Sequence, residues 1–257
     1  YRFEYGMLLY CQLMPQKAAA KILNVPPSTL SDQLHRTIGR LRDGHRIRDL
    51  KTMGIDEISY CRGRKYATVV YDLDRSCVVW VGRGKGRETI DQFFNEVLSG
   101  YQKNKIQWAC CDMSQTYIGA IEEHCPNATL VLDRFHIVKA LNEALDEVRK
   151  EQWREASEHE RKALKGLRWL LFKHSAHRSK KDSHILNALR KGNRRIHRAW
   201  VLKDEFEHFW EYGVPWAAER FIKRWCTVAL KSRLEPIRDF VKMLRKHAHR
   251  ILPFIEK

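Results

Sequence analysis

Two aspartates in this sequence, one inside a strand and one at a strand end, sit where they could bring carboxylates into a centre for phosphoryl chemistry. Asp56 lies within the apolar run MGIDEIS, and Asp112 closes the run WACCD directly before a helix-like segment. A carboxylate inside an apolar strand is expensive to desolvate unless a cation or hydrogen bonds accompany it. On neighbouring strands, two such groups repel unless they share a divalent cation, and a shared Mg²⁺ (or Mn²⁺) supports phosphoryl transfer. Taken singly, each also reads as an ion-paired or helix-capping residue, and Asp112 suits the second role. Their matching positions on two neighbouring strands favour metal binding. Asp133 and His136, in LDRFHIVK, fall near the same sheet end. They read equally as auxiliary or DNA-contacting groups and as the cap of the following helix.

The elements that must position these groups follow from hydrophobic periodicity. Residues 52–60, 66–73 and 77–81 carry strand chemistry, with 72–76 as a hairpin turn. Residues 82–86 read as a loop, and 87–101 as a single helix through Ile90, Phe93, Phe94, Val97 and Leu98. Short apolar runs at 106–111 and 128–132 alternate with helices from Ser114 to about His124 and from near Phe135 onward. Runs bounded by helices fit central parallel strands, whereas the first three fit an antiparallel meander. The predicted fold class is α/β, with the element order of a ribonuclease H-like core over residues 52–150. In that sheet the first and fourth strands are neighbours, which brings Asp56 and Asp112 together.

The flanking regions are helical. Residues 1–48 read as helices over 3–13, 16–23 and 28 to about 41, interrupted by Asn24-Val25-Pro26-Pro27, with Ser28 placed to cap the third. Ala18, Ala19, Ile22 and Leu23 form one apolar face, continued by Leu30, Leu34, Ile38 and Leu41. Small alanines before a tight turn let two helices cross closely, and basic charge favours a DNA-binding helix-turn-helix over plain three-helix packing. Thr29, Ser31, Gln33 and Arg36 would face outward. Residues 151–257 read as a basic helical region, and 173–198 holds nine Lys/Arg, four His and a single acid, Asp182. Lys180, Lys181, Arg194 and Arg195 are its candidate phosphate contacts. Trp153, Trp169, Trp200, Trp210, Trp216 and Trp225 read as core rather than as base-stacking surfaces.

The charge is distributed unevenly over the 257 residues, whose net charge is +17. Residues 1–51 hold nine basic and four acidic side chains, 52–140 eleven of each, and 141–257 twenty-eight and sixteen. A balanced middle between basic ends suits a carboxylate centre held on double-stranded DNA. An apolar fraction of 44% excludes wholesale disorder. No apolar run approaches about 18 residues and no basic-then-apolar leader opens the sequence, so neither a membrane span nor a signal peptide is expected. Seven cysteines without a CxxC pair argue against a disulfide scaffold and for a reducing cytoplasm.

Three ordered segments, MGIDEISYCRGRKYATVVYDLD, CDMS and PNATLVLDRFHIVKALNEALDEVRK, resemble the DDE-type bacterial insertion-sequence transposases. The likeness is to the subgroup named for the lactobacillus insertion sequence L-three; it spans roughly 1–257 and is strongest over 53–150. It implies Mg²⁺-dependent DNA cleavage and strand transfer, recognition of element ends, and a homo-oligomer on DNA, with Asp56 and Asp112 as the first two catalytic acids. Residues 151–257 would then be an insertion before a last catalytic helix. Two departures stand out. Family members usually open with a cysteine-rich metal-binding segment, where this sequence opens with the helical region. The family's third acid, a late glutamate, has no match before Lys257, since Glu219 and Glu235 come too early. The expectation is therefore a fragment with two of three acids; the alternative is a transposase-derived DNA-binding protein or repressor without catalysis.

Overall fold

Alanines at helical spacing and a proline pair shape the amino-terminal region into three helices, α1 (Arg2–Leu13), α2 (Gln16–Ile22) and α3 (Pro27–Gly44). The computed structural model describes residues 2–44, 47, 49–61, 63 and 65–255, which divide into two compact units, Tyr1–Asp49 and Leu50–Lys257. In the first unit Met7, Ala19, Ala20 and Leu30 make the core, with Tyr10, Met14, Leu23, Val25 and Leu34 packed against it. The buried face of α2 is therefore rotated from the expected one: Ala20 is inside, while Ala18 and Ile22 are exposed. A two-turn helix wedged between two others buries neighbouring positions rather than one stripe. Ser28 is not the cap of α3. That helix starts at Pro27, whose missing N–H costs nothing in a first turn. Asn24 takes a left-handed φ of +52° in the turn 23–26, a conformation asparagine tolerates. The side chains of Ile38 and Leu41 lie outside the described residues.

Strand-forming residues build one five-stranded sheet in the second unit: β1 (Thr52–Cys61), β2 (Lys65–Asp72), β3 (Cys77–Arg83), β4 (Trp108–Cys111) and β5 (Thr129–Leu132). The order is β3-β2-β1-β4-β5, antiparallel across the first three strands and parallel from β1 to β4 to β5. This mixed sheet is consistent with a ribonuclease H-like core. The β2–β3 turn is held by Asp72, whose Oδ1 accepts the N–H groups of Asp74 and Arg75, each at 3.0 Å. Strand β3 extends through Gly82 and Arg83, so the expected loop at 82–86 is shorter.

The single helix expected over 87–101 is broken in two. Helix α4 (Arg87–Gln92) runs into a π-helical turn (Phe93–Val97), and Leu98 is extended. A new helix, α5 (Gly100–Lys105), starts at Ser99, which exchanges reciprocal hydrogen bonds with Gln102. Next come α6 (Gln115–His124) and α7 (Arg134–Glu155), which runs on past residue 150. The remaining helices are α8 (Glu158–Leu164), α9 (Leu167–Phe172), α10 (Lys180–Gly192), α11 (Arg194–Glu207), α12 (Pro215–Lys231) and α13 (Glu235–Ile251). Helix α6 packs on β4 and β5, and α13 packs on β5 and α7.

The tryptophans divide. Trp200, Trp210 and Trp225 are buried, and Trp225 packs on Phe206 and donates its indole N–H to the Leu202 carbonyl at 2.9 Å. Trp169 and Trp216 are 72% and 67% exposed, against the expectation that all six are core. Among the described residues, no helix is long and apolar enough to cross a membrane.

Candidate functional site

The register of the parallel strands brings three aspartates to one level. On β1 and β4, Thr52 pairs with Trp108, Met53 with Ala109 and Gly54 with Cys110. Asp56 and Asp112 each lie two residues beyond the last pair, and both are near enough to Glu57 and Tyr117 to raise the pKa values of those two groups. On β4 and β5 the ladder ends at Cys111 and Leu132, and one further step sets Asp112 beside Asp133. The Asp133 N–H extends that pattern, donating to the Cys111 carbonyl at 2.8 Å. In-register residues of parallel strands point to the same face, with neighbouring strands about 4.8 Å apart. Asp56 within β1, and Asp112 and Asp133 just past the ends of β4 and β5, thus present a row of three carboxylates.

Each of these carboxylates is oriented by its own backbone. Oδ1 of Asp56 accepts the Glu57 N–H at 2.7 Å, Oδ1 of Asp112 that of Ser114 at 2.8 Å, and Oδ1 of Asp133 that of Phe135 at 2.8 Å. Asp133 is the N-cap of α7, so the capping role expected for it holds together with its place on the row. Asp112 makes the turn into α6 without being its N-cap, which is Ser114. His136, one turn into α7, stands between two members of the row, its Nε2 3.8 Å from Asp56 Oδ1 and 3.7 Å from Asp133 Oδ2. Among the described residues no Lys or Arg forms an ion pair with Asp56, Asp112 or Asp133. Nor do any three His, Cys, Asp or Glu side chains close on one point as a finished metal site.

Glu57 was not singled out from the sequence, although it adjoins Asp56. It points to the opposite face of β1, where its cross-strand partner is Thr68. Burial raises its pKa above the ordinary value, and the negative charges of Asp112 and Asp56 add to the rise, while Lys85, 3.8 Å away, opposes it. Behind it, the buried Tyr117 shares a 3.1 Å hydrogen bond with Thr68, and burial pushes its phenol up to about 12. This pair braces α6 against β2. Apolar patterning cannot reveal it, because Thr68 and Tyr117 come from segments 49 residues apart.

The candidate DNA contacts are distributed over both units. In the first, Thr29 and Arg36 are exposed, whereas Ser31 and Gln33 are partly buried. In the second, Lys180, Lys181 and Arg194 are exposed, while Arg195 is paired with Glu151 at 3.0 Å. Glu219 pairs with Lys223, and Glu235 with Arg238 and Lys242.

Comparison with known proteins identifies the family. The transposase family typified by the insertion sequence ISL3 matches residues 53–257. The transposase for insertion sequence element IS1001 of Bordetella parapertussis is 31% identical, the match covering 79% of this chain and 50% of that protein. The transposase for IS1557 of Mycobacterium tuberculosis is 27% identical over the same shares of each. The chain spans about half the length of these curated relatives. With the family match running through every strand of the sheet and on through the helical tract, the chain belongs to the ISL3 family of DDE transposases.

Proposed function

We propose that the chain acts in cleavage and joining of DNA strands at the ends of an insertion sequence, with Asp56 and Asp112 as catalytic metal ligands. The observation that carries this reading is the row of carboxylates that, among the described residues, has no lysine or arginine ion-paired to it. Such a row costs repulsion unless a cation arrives from solution. The donor chemistry fits Mg²⁺ or Mn²⁺: hard carboxylate oxygens, each with Oδ1 fixed by a backbone N–H and Oδ2 left for a ligand. Mg²⁺ takes only one or two protein carboxylates, together with waters and substrate phosphates, so two aspartates suffice to seat it. A bound divalent ion would neutralise charge developing on the phosphate oxygens and lower the pKa of an attacking water. Asp56 and Asp112 orient the site through their fixed Oδ1 atoms. Asp133 and His136 serve as auxiliaries, the imidazole bridging Asp56 and Asp133 and keeping their carboxylates from turning away.

The flanks would hold the DNA. We assign residues 1–48 as a helix-turn-helix whose third helix presents Thr29, Ser31, Gln33 and Arg36. Support comes from the tight turn at 23–26 and from the close packing of Ala19 and Ala20. Residues 52–150 form the catalytic core. Residues 151–257 form a basic helical insertion that contributes Lys180, Lys181, Arg194 and Arg195 to the backbone of double-stranded DNA, on which the chain would assemble as a homo-oligomer.

Two measurements test this reading. Mn²⁺ titration should show binding that Asp56→Asn and Asp112→Asn each abolish, with DNA affinity unchanged. Mn²⁺ binding unchanged from the parent chain in both variants would make the aspartates structural, leaving a non-catalytic DNA-binding protein. Duplex affinity should fall steeply with salt, at a log–log slope of roughly −4 to −5 if about five phosphates are neutralised. A flat salt response would remove the nucleic-acid reading altogether.

A further inference from the structure

On the far side of α7 from its cap lies a cleft of about 330 Å³ between the end of that helix and the α8–α9 turn. Its walls are Arg149, Lys150, Arg154, Lys165 and Arg168, set around the indole of Trp153. Two carboxylates offset part of this charge. The buried Asp146 touches Arg149, Lys150 and Arg168, and Glu147 touches Lys150 and Arg154. Five cations against two acids leave a surplus of positive charge, and Lys165 has no ion pair among the described residues. Beside the cleft, Arg168 lays its guanidinium 5.2 Å from the ring centre of Trp169, an indole that is itself 72% exposed. A large ring held in water on a basic surface forgoes the burial that normally stabilises tryptophan.

We propose that this cleft takes an unpaired nucleotide of DNA, its base against Trp153 and its phosphates on Arg154, Lys165 and Arg168. Trp169 outside the cleft then offers a stacking face to the neighbouring base. The inference rests on the DNA-directed reading above and adds a distinct substrate feature to it. A duplex presents phosphates on a convex surface and keeps its bases stacked inside, so a concave pocket with an indole wall gains nothing from paired DNA. A strand that has left the duplex offers both a free π-face and a flexible chain of phosphates, and aromatic–base stacking with cationic contacts is how such strands are held. The volume falls at the small end of the range for ligand pockets, about 300–1,000 Å³, which suits one nucleotide rather than a helix.

The test is a pair of fluorescently labelled DNAs bound to the full chain: a blunt duplex, and the same duplex with a short single-stranded oligothymidine tail. The tail should tighten binding about tenfold, the scale of a stacked base or two. Trp153→Ala should remove most of that preference. Trp169→Ala and Lys165→Glu, both at exposed positions where folding is not at stake, should each reduce it while leaving blunt-duplex affinity within about twofold. Salt-dependent duplex binding with no preference for the tail, or a preference intact in all three variants, would overturn this inference alone. Failure to bind either DNA would overturn it together with the nucleic-acid reading.

Discussion

Two sets of acids in the second unit are treated in opposite ways. Asp146, on the buried side of α7, is only 3% exposed and is surrounded by Arg149, Lys150 and Arg168. Asp182 and Asp204 follow the same pattern with Lys173 and Arg178. Asp56 and Asp133 face His136, and among the described residues neither they nor Asp112 forms an ion pair with a Lys or Arg. A chain with 48 Lys and Arg does not lack cations to spend on three aspartates. Structural carboxylates here are neutralised from within, and the row on the sheet is left for a charge from outside.

The largest expected effect lies on the neutralised side. Asp146→Asn removes the acid that three cations share and leaves them facing one another. Breaking a fully buried pair costs about 3–5 kcal/mol. Lys150 and Arg168 are about half exposed, so water recovers part of that cost and a loss of about 2 kcal/mol is expected. Urea unfolding of the variant would measure it, and a loss below about 0.5 kcal/mol would mean that Asp146 is no more structural than the aspartates on the sheet.

A smaller effect comes from supplying the missing cation. His136→Lys places a permanent charge at the position from which His136 now reaches Asp56 and Asp133. A unit charge about 4 Å from a ligand opposes a divalent ion by at least 1 kcal/mol even at the dielectric of water. Mn²⁺ affinity should therefore drop about tenfold. Undiminished Mn²⁺ binding would remove His136 from the site and weaken the case that the row is a cation site.

Much of this was legible in the sequence because its signals are local. β-rich runs between turn residues gave five strands in the right order, and the apolar settings of Asp56 and Asp112 marked them as costly. Register was not legible. Asp133 joins the row because Trp108 pairs with both Thr52 and Thr129, a fact of two ladders that no single segment carries. The break at Leu98 was written locally, as the Ser99–Gln102 capping pair, but Val97 and Leu98 continue the helical apolar spacing and obscure it. The tryptophans defeat periodicity for a different reason. Helix α9 is six residues long, too short for its pattern to distinguish the buried Leu171 from the exposed Trp169.

Glu57 reports the charge of the row from the other face of β1. Its pKa lies above 4.5 through burial and through the carboxylates of Asp112 and Asp56. The folded state therefore holds this proton more tightly than the unfolded chain. The group's stabilisation is complete below about 4.5 and is lost as pH rises through the folded value. Asp112→Asn removes one of the charges that raise it, so the Glu57 titration, followed by carboxyl-carbon NMR, should move down toward 4.5. An unmoved titration would mean that burial alone sets it.

The effect expected in chelator is the smallest and the most diagnostic, because Mg²⁺ reverses its sign. Without metal, Asp56 and Asp112 are like charges on adjacent strands, roughly 5 Å apart, and their repulsion is worth about 0.8 kcal/mol at the dielectric of water. Asp56→Asn relieves part of it, so in chelator the variant should be slightly more stable than the parent chain, by a few tenths of a kcal/mol. Saturating Mg²⁺ binds only the folded parent and stabilises it by mass action, by about 2.7 kcal/mol at a hundred times the dissociation constant. The variant lacks a ligand and gains less. Melting curves of the two chains should therefore cross in order between chelator and Mg²⁺. A structural aspartate of the Asp146 kind cannot produce that crossing, since its loss destabilises under both conditions. If Asp56→Asn melts below the parent in chelator and Mg²⁺ alike, Asp56 belongs with Asp146, and the contrast between the two sets of acids disappears.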